Sequence, residues 1–354
     1  MGRFMQESGY DDYDSLYDWS VSDSPAFWRA LCAFCHVDFS REAEDVLARP
    51  LDIMNAGWFA GGQLNYAAHQ LRHTGSGAAL IFRGEDGSRR EISRDDLREQ
   101  VAAVAAGLCA AGVSRGDRVA AFLPNCPEAI IAMLASASIG ATWSSCSPDF
   151  GINGVVDRFG QIEPKVLFAV NGYYYHGKIC DTSATVTGVV DAVDSIEQTV
   201  LVPFVDDPGL EVGSGGNEIA WDEFARAGVS LEFEAVDFDH PLFIMFSSGT
   251  TGVPKCIVHG HGGTLLQHLK EHVLHTDIGD TDRLFYFTTC GWMMWNWLAS
   301  GLAAGATLVL FDGSPFYEDG RVLWRIAQEE GISVHPLARP LASQFHIIQQ
   351  QVVK

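Results

Sequence analysis

Positive charge is scarce in this chain. It carries 23 Lys and Arg against 45 Asp and Glu, a formal net charge of −22, and its longest basic run is Arg89-Arg90. A nucleic-acid binder would show a basic patch or stripe, so no nucleic-acid partner is expected. An acidic surface is also repelled by anionic membranes. No run of about 18 uninterrupted apolar residues is present, which excludes a transmembrane helix. The N-terminus, Met1-Gly-Arg-Phe-Met-Gln-Glu-Ser8, lacks the apolar core of a signal peptide. Gln6 stands where a myristoylation motif needs Ser or Thr. A cytosolic protein without membrane attachment is the expectation. There is no repeat of fixed period and no G-x-G-x-x-G dinucleotide fingerprint.

What is present suits a globular protein. Hydrophobic residues make up 47% of the 354, enough to bury a sizeable core and to allow two domains. The eight cysteines are scattered, which fits a reducing compartment where thiols act as small hydrophobes. Cys32-Ala-Phe-Cys35-His36 matches the haem-attachment pattern C-x-x-C-H. It lies in the apolar run Ala26–Cys35, so a buried helix face is expected instead. Asp149-Phe150-Gly151 mimics a kinase magnesium motif, but no H-R-D or V-A-I-K accompanies it.

Along the chain, residues 1–75 read as an N-terminal segment with two aromatic-rich helical stretches. Ser93 and Asp96 form a start like a capping box. Leu97, Val101, Val104 and Leu108 follow at helical spacing, and Gly112 supplies a stop. Strands are expected at 118–123, 141–143, 165–170, 242–246, 255–259, 282–287 and 306–311. Helices are expected from Pro127 to about 139 and over 263–275, 292–303 and 322–330. Residues 203–220, with Gly213-Ser-Gly-Gly216, read as a surface loop. Alternating strand and helix predicts a layered α/β core with parallel strands.

The densest chemistry lies in Ser247, Ser248, Gly249, Thr250, Thr251, Gly252, Val253, Pro254 and Lys255, directly after the apolar stretch Pro241–Met245. Glycines let backbone approach an anion closely. Successive N–H groups in such a loop form an anion-binding concavity. Hydroxyls and a lysine add donors and charge. The run is therefore a phosphate-loop candidate. It is not a Walker A loop: Gly249 and Gly252 are three apart, and Cys256 replaces the Ser/Thr after the lysine.

The pattern S-S-G-T-T-G-x-P-K resembles the phosphate loop of the adenylate-forming superfamily of acyl-CoA synthetases and luciferases. The likeness extends to His259–His275, Thr288–Trp297 and Phe311–Pro315, and upstream to Gly57–Tyr66 and Trp143–Gly151. These segments are similar to the acetoacetyl-CoA synthetases. The resemblance covers roughly residues 10–334. It implies the large N-terminal domain of that superfamily, with a partial adenylation domain over 76–334. It further implies that ATP and acetoacetate form an acyl-adenylate, which CoA then converts to a thioester. By the resemblance, Thr250 and Thr251 bond phosphate oxygens with Ser247 and Ser248 assisting. Lys255 neutralises charge on the leaving pyrophosphate, and Mg²⁺ bridges phosphate oxygens. Trp292, Met293 and Met294 would line the acetoacetate tail. Against that stands ordinary helix core. Arg158 would meet a CoA phosphate, or be a solvated helix arginine. His259, close to the loop, reads as a structural contact sooner than a catalyst.

The likeness ends after Val334. Residues 335–354 read as a divergent tail without counterpart, as a shift of frame or splice site would leave. The resemblance then implies an incomplete domain. The aromatic–Thr–Glu motif whose Glu holds Mg²⁺, the Asp that holds ribose, the hinge and the small C-terminal domain with its lysine are all missing. Little ligase activity is expected, with an exposed sheet edge near 334. A non-catalytic nucleotide-binding fragment, an unstable product and a different short-chain acyl-CoA synthetase are the alternatives.

Overall fold

Two β-sheets and the helices between and around them make the core. The structure is a computed structural model describing residues 1–49, 52, 54–207, 217–247 and 252–335. The first sheet has seven strands in the order Glu218–Ala220, Gln198–Val202, Val166–Val170, Arg118–Phe122, Thr142–Cys146, Pro241–Phe246, Cys256–Gly260. All neighbours pair in parallel except the last two, which form an antiparallel hairpin. The second sheet runs Arg283–Phe285, Thr307–Asp312, Ala78–Gly84, Arg89–Ser93, with only the last pair antiparallel.

The layers follow from side-chain alternation. Val119 and Ala121 face a core shared with Leu80, Phe82, Leu308 and Leu310 of the second sheet. Helices Arg94–Ala110 and Pro127–Ser138 fill the space between the two sheets. Every residue from Ala129 to Ser138 is buried, as a helix apolar all round should be. Ala120 and Phe122 face the opposite side, where helices Ile152–Ile162 and Ser183–Ala192 cover them. Ile81, Val309 and Phe311 pack under helix Val322–Glu329. Strand Val166–Val170 is buried on both faces, which explains its unbroken apolar run.

Local signals are realised where the sequence placed them. Ser93 caps its helix, accepting from the Asp96 N–H at 3.0 Å and donating its hydroxyl to Asp96 Oδ2 at 2.7 Å. Gly112 takes φ +79° after that helix. Cys32 and Cys35 are buried. Burial pushes their thiols up to about 12 and about 11, so neither is a thiolate.

Several expectations are corrected. Four helices, Gly2–Glu7, Tyr13–Ser22, Ser24–Phe34 and Tyr66–Gln70, stand among the described residues of 1–75 where two helical stretches were expected. The strand after the phosphate-loop candidate pairs back on its predecessor, because only nine residues separate their facing ends, Phe246 and Cys256, and a parallel crossover needs a longer connection. The helix expected over 263–275 is α only for His261–Leu269 and widens to a π-helix over Lys270–His275. Met293–Ala299 likewise tightens to a 3₁₀ turn at Ser300–Ala304. Strand Glu218–Ala220 lies inside the stretch read as loop. Val334 forms a parallel bridge to Leu284, the outer strand of the second sheet. Residues 336–354 lie outside the described residues. No helix among those described is long and apolar enough to cross a membrane.

Candidate active site

The carboxyl ends of parallel strands are where open α/β sheets hold ligands, and here the loops leaving both sheets touch. The hydroxyl of Ser145 donates to the Cys290 carbonyl at 2.7 Å. The Cys290 thiol faces the Pro124 carbonyl at 3.1 Å. Trp295 Nε1 donates to Asn125 Oδ1 at 2.9 Å. Gly291 sits so close to Cys146, Ser147 and Phe150 that a Cβ there would already be in contact. The segment Thr288–Trp292 is thereby fixed against the ends of strands Arg118–Phe122 and Thr142–Cys146.

The phosphate-loop candidate caps the hairpin. Ser247 N–H donates to the Lys255 carbonyl at 3.0 Å. Lys255 N–H donates to Ser247 Oγ at 3.0 Å. These two bonds clamp the base of the loop. Ser248, Gly249, Thr250 and Thr251 lie outside the described residues. Gly252 takes φ +149°, a conformation that L side chains rarely adopt. Lys255 is exposed at the foot of the loop.

Helix Ile152–Ile162 buttresses the hairpin from one side. Gln161 Nε2 donates to the Pro254 carbonyl at 2.9 Å. The Arg158 guanidinium lies 4.6 Å from the Phe150 ring centroid and 5.7 Å from that of Phe246, the last strand residue before the loop. Its Nη1 donates to the Gly154 carbonyl at 2.6 Å. Arg158 is therefore a half-buried neighbour of the loop base and no solvated helix arginine.

The three residues assigned to the acyl tail occupy different environments. Trp292 is 63% exposed and Met293 47% exposed, while Met294 is half-buried. None of the three is buried, and Trp295 is the tryptophan of this segment that enters the core. His259 lies half-buried in the hairpin strand, where burial lowers its pKa and favours the neutral ring.

Two acids were not singled out by the sequence. Glu85 is buried at the end of strand Ala78–Gly84 and accepts from the backbone N–H groups of His176 and Ser314, at 3.0 and 2.6 Å, and of Gly177. Asp312 is buried at the end of Thr307–Asp312, and its Oδ2 has no hydrogen-bond partner. Burial raises its pKa to about 7; the Asn125 N–H opposes, and the charges of Glu85, Asp149 and Asp86 add to the rise. An acid at or just past the end of an apolar strand was the available signal for Glu85 and Asp312. Among the described residues no group of three or more His, Cys, Asp and Glu could cage a metal ion.

Comparisons with known proteins find relatives over most of the chain. The AMP-binding enzyme family matches residues 67–351, and the acetyl-coenzyme A synthetase N-terminus matches residues 13–69. The acetoacetyl-coenzyme A synthetase of Rhizobium meliloti (strain 1021) is 51% identical over 328 residues, covering 92% of this chain and 50% of its own. The acetoacetyl-CoA synthetase of Rattus norvegicus is 46% identical over 333 residues, covering 91% of this chain and 49% of its own. The solved acetoacetyl-CoA synthetase from Streptomyces lividans superimposes with a TM-score of 0.92 at 39% identity, over 98% of this chain and 54% of that one. The chain spans about half the length of the curated relatives it matches.

Proposed function

Because the chain belongs to the AMP-binding enzyme family, we propose that it carries the ATP-phosphate and acetoacetate half of an acetoacetate–CoA ligase. The observation that carries this reading is the convergence at one sheet edge. The clamped loop base at Ser247 and Lys255, the buttress from Arg158 and Gln161, and the segment Thr288–Trp292 all meet there. An anionic nucleotide and a short acyl acid must be held side by side for a carboxylate to attack the α-phosphate.

In this reading Lys255, with Thr250 and Thr251, neutralises and orients the β- and γ-phosphates. Ser247, Ser248, Gly249 and Gly252 shape the loop around them. Charge developing on the leaving pyrophosphate then meets fixed donors. The described residues provide no carboxylate cage, so they suit a Mg²⁺ that arrives with the phosphates and keeps its waters. Bound there, that ion supplies charge neutralisation. Trp292, Met293 and Met294 select the acyl tail from the rim. Arg158 stacks on Phe150 and Phe246 and holds the loop base; a CoA phosphate reaching this side would meet its exposed edge.

Differential scanning fluorimetry tests the nucleotide half. MgATP is expected to raise the melting temperature, and Lys255→Ala to abolish the rise while leaving the unliganded melt unchanged. Acetoacetate-dependent exchange of pyrophosphate into ATP tests the acyl half, with acetate as the competitor. Equal exchange with the two acids would remove acetoacetate from the proposal. Absence of any melting shift with MgATP would remove the nucleotide site.

A further inference from the structure

Away from that edge, a cavity of about 410 Å³ is lined by Phe82 of strand Ala78–Gly84 and Val202 of strand Gln198–Val202. Its size is that of an ordinary small-molecule site. It lies on the face shared with helices Arg94–Ala110 and Pro127–Ser138, the opposite side of the first sheet from Phe150 and Phe159. Of its lining residues only Asp86 bears on the site described above, through its charge on Asp312.

Four aromatic rings form the wall. Phe82 meets Phe204 edge-on with centroids 5.8 Å apart, and Tyr174 is tilted against Phe204 at 6.4 Å. Trp221 opens the short helix Trp221–Phe224 and closes the far side. The charged lining is acidic, Asp86, Asp222 and Glu128 against a single guanidinium, Arg90, with Ser88 and Gln100 as the neutral polar members; Asp86 Oδ1 accepts from the Ser88 N–H and hydroxyl at 3.0 and 2.6 Å. Arg90 is neutralised in place, because both Glu128 oxygens accept from it at 2.6 and 2.9 Å. It also lies 5.2 Å above Phe82, so this wall already holds one cation over a ring. The Tyr174 phenol is pushed up by burial first, with the charges of Asp86, Asp206 and Asp207 adding to the rise.

We infer that this cavity binds a small organic cation, a quaternary or primary amine with an apolar body. An anion would face uncompensated carboxylates. A neutral apolar ligand would fill the aromatic part but leave the acid rim without a counter-charge. A cation over Trp221, Tyr174 and Phe204 gains from the ring faces and from Asp86 and Asp222 together.

Calorimetric titration with choline and with its neutral isostere 3,3-dimethyl-1-butanol tests this. Choline should bind saturably and one to one, with the isostere at least about fivefold weaker, the size of one partly desolvated cation–π contact. Trp221→Leu and Tyr174→Leu should each weaken choline by about fivefold or more. Asp222→Asn, at an exposed position, should weaken choline without altering the melt or the response to MgATP. Choline binding no tighter than the isostere, binding that is unchanged in Asp222→Asn and Trp221→Leu, or no saturable binding to the folded protein would overturn the inference.

Discussion

Trp295 and Asn125 are both buried, and the indole Nε1 of the first donates to the Oδ1 of the second at 2.9 Å. Asn125 follows the strand Arg118–Phe122 of the first sheet, and Trp295 lies in the helix Met293–Ala299. This bond therefore ties the two halves of the candidate site. Truncating either partner leaves a buried polar atom unpaired, at a cost of about 1–3 kcal/mol. Asn125→Ala and Trp295→Phe should each lower the urea midpoint accordingly. A double-mutant cycle should give a coupling above about 0.5 kcal/mol, as contacting residues do. Additive effects would show that the bond does not join the two elements energetically.

Glu330 is the hub of an ion-pair network. Its oxygens accept from Arg83 at 2.7 Å and from Arg89 at 3.0 Å, and its side chain is buried. Burial alone would raise its pKa; Arg89 and Arg83 outweigh that and lower it. Glu330→Gln removes this counter-charge from the buried Arg83, which keeps its second carboxylate partner, Glu329, at 2.7 Å. A loss of about 1–3 kcal/mol is expected by chemical denaturation at pH 7.

Asp312 works in the opposite sense. Its folded pKa of about 7 exceeds the ordinary 3.8, so the folded state holds a proton that the unfolded chain releases. Its contribution is most favourable below pH 3.8, declines as pH rises, and is a fixed cost above 7. Asp312→Asn should therefore stabilise the protein at pH 8, by up to about 4 kcal/mol, and leave stability at pH 3.5 unchanged. Equal effects at the two pH values would contradict the protonated carboxyl.

Three buried histidines predict an acid limit. Burial pulls His261 and His268 down to about 3 and His272 down to about 4. Their neutral forms are folded-state forms, so this contribution is complete above pH 6.5 and falls away below it. Each costs about 1.4 kcal/mol per pH unit between 6.5 and its folded value. Denaturation curves at pH 7 and 5 should show the loss, and His268→Gln should flatten the slope.

Gly262 opens the helix after the hairpin, and its backbone lies against the Phe238 ring; a Cβ would overlap Phe238 Cδ2 and Cε2. Gly262→Ala should destabilise by about 1–3 kcal/mol through overpacking. Gly263, with nothing within reach of a Cβ, should accept alanine without loss, and thermal melts of the two variants check the pair.

The sequence by itself determined the phosphate-loop candidate, the α/β class and many helix and strand positions. Those depend on local chemistry: the glycine–hydroxyl–lysine spacing at 247–255, apolar runs such as Val166–Val170, and the cap at Ser93. Only the tertiary structure decided which distant residues serve one edge. Asn125 meets Trp295 across 170 positions, and no periodicity encodes such a pairing. The hairpin geometry of Cys256–Gly260, the lodging of Arg158 on Phe150 and Phe246, and the acidity of the aromatic cavity were equally invisible. Each depends on which faces the packed layers turn toward one another, and packing, unlike local propensity, is set by the whole chain at once.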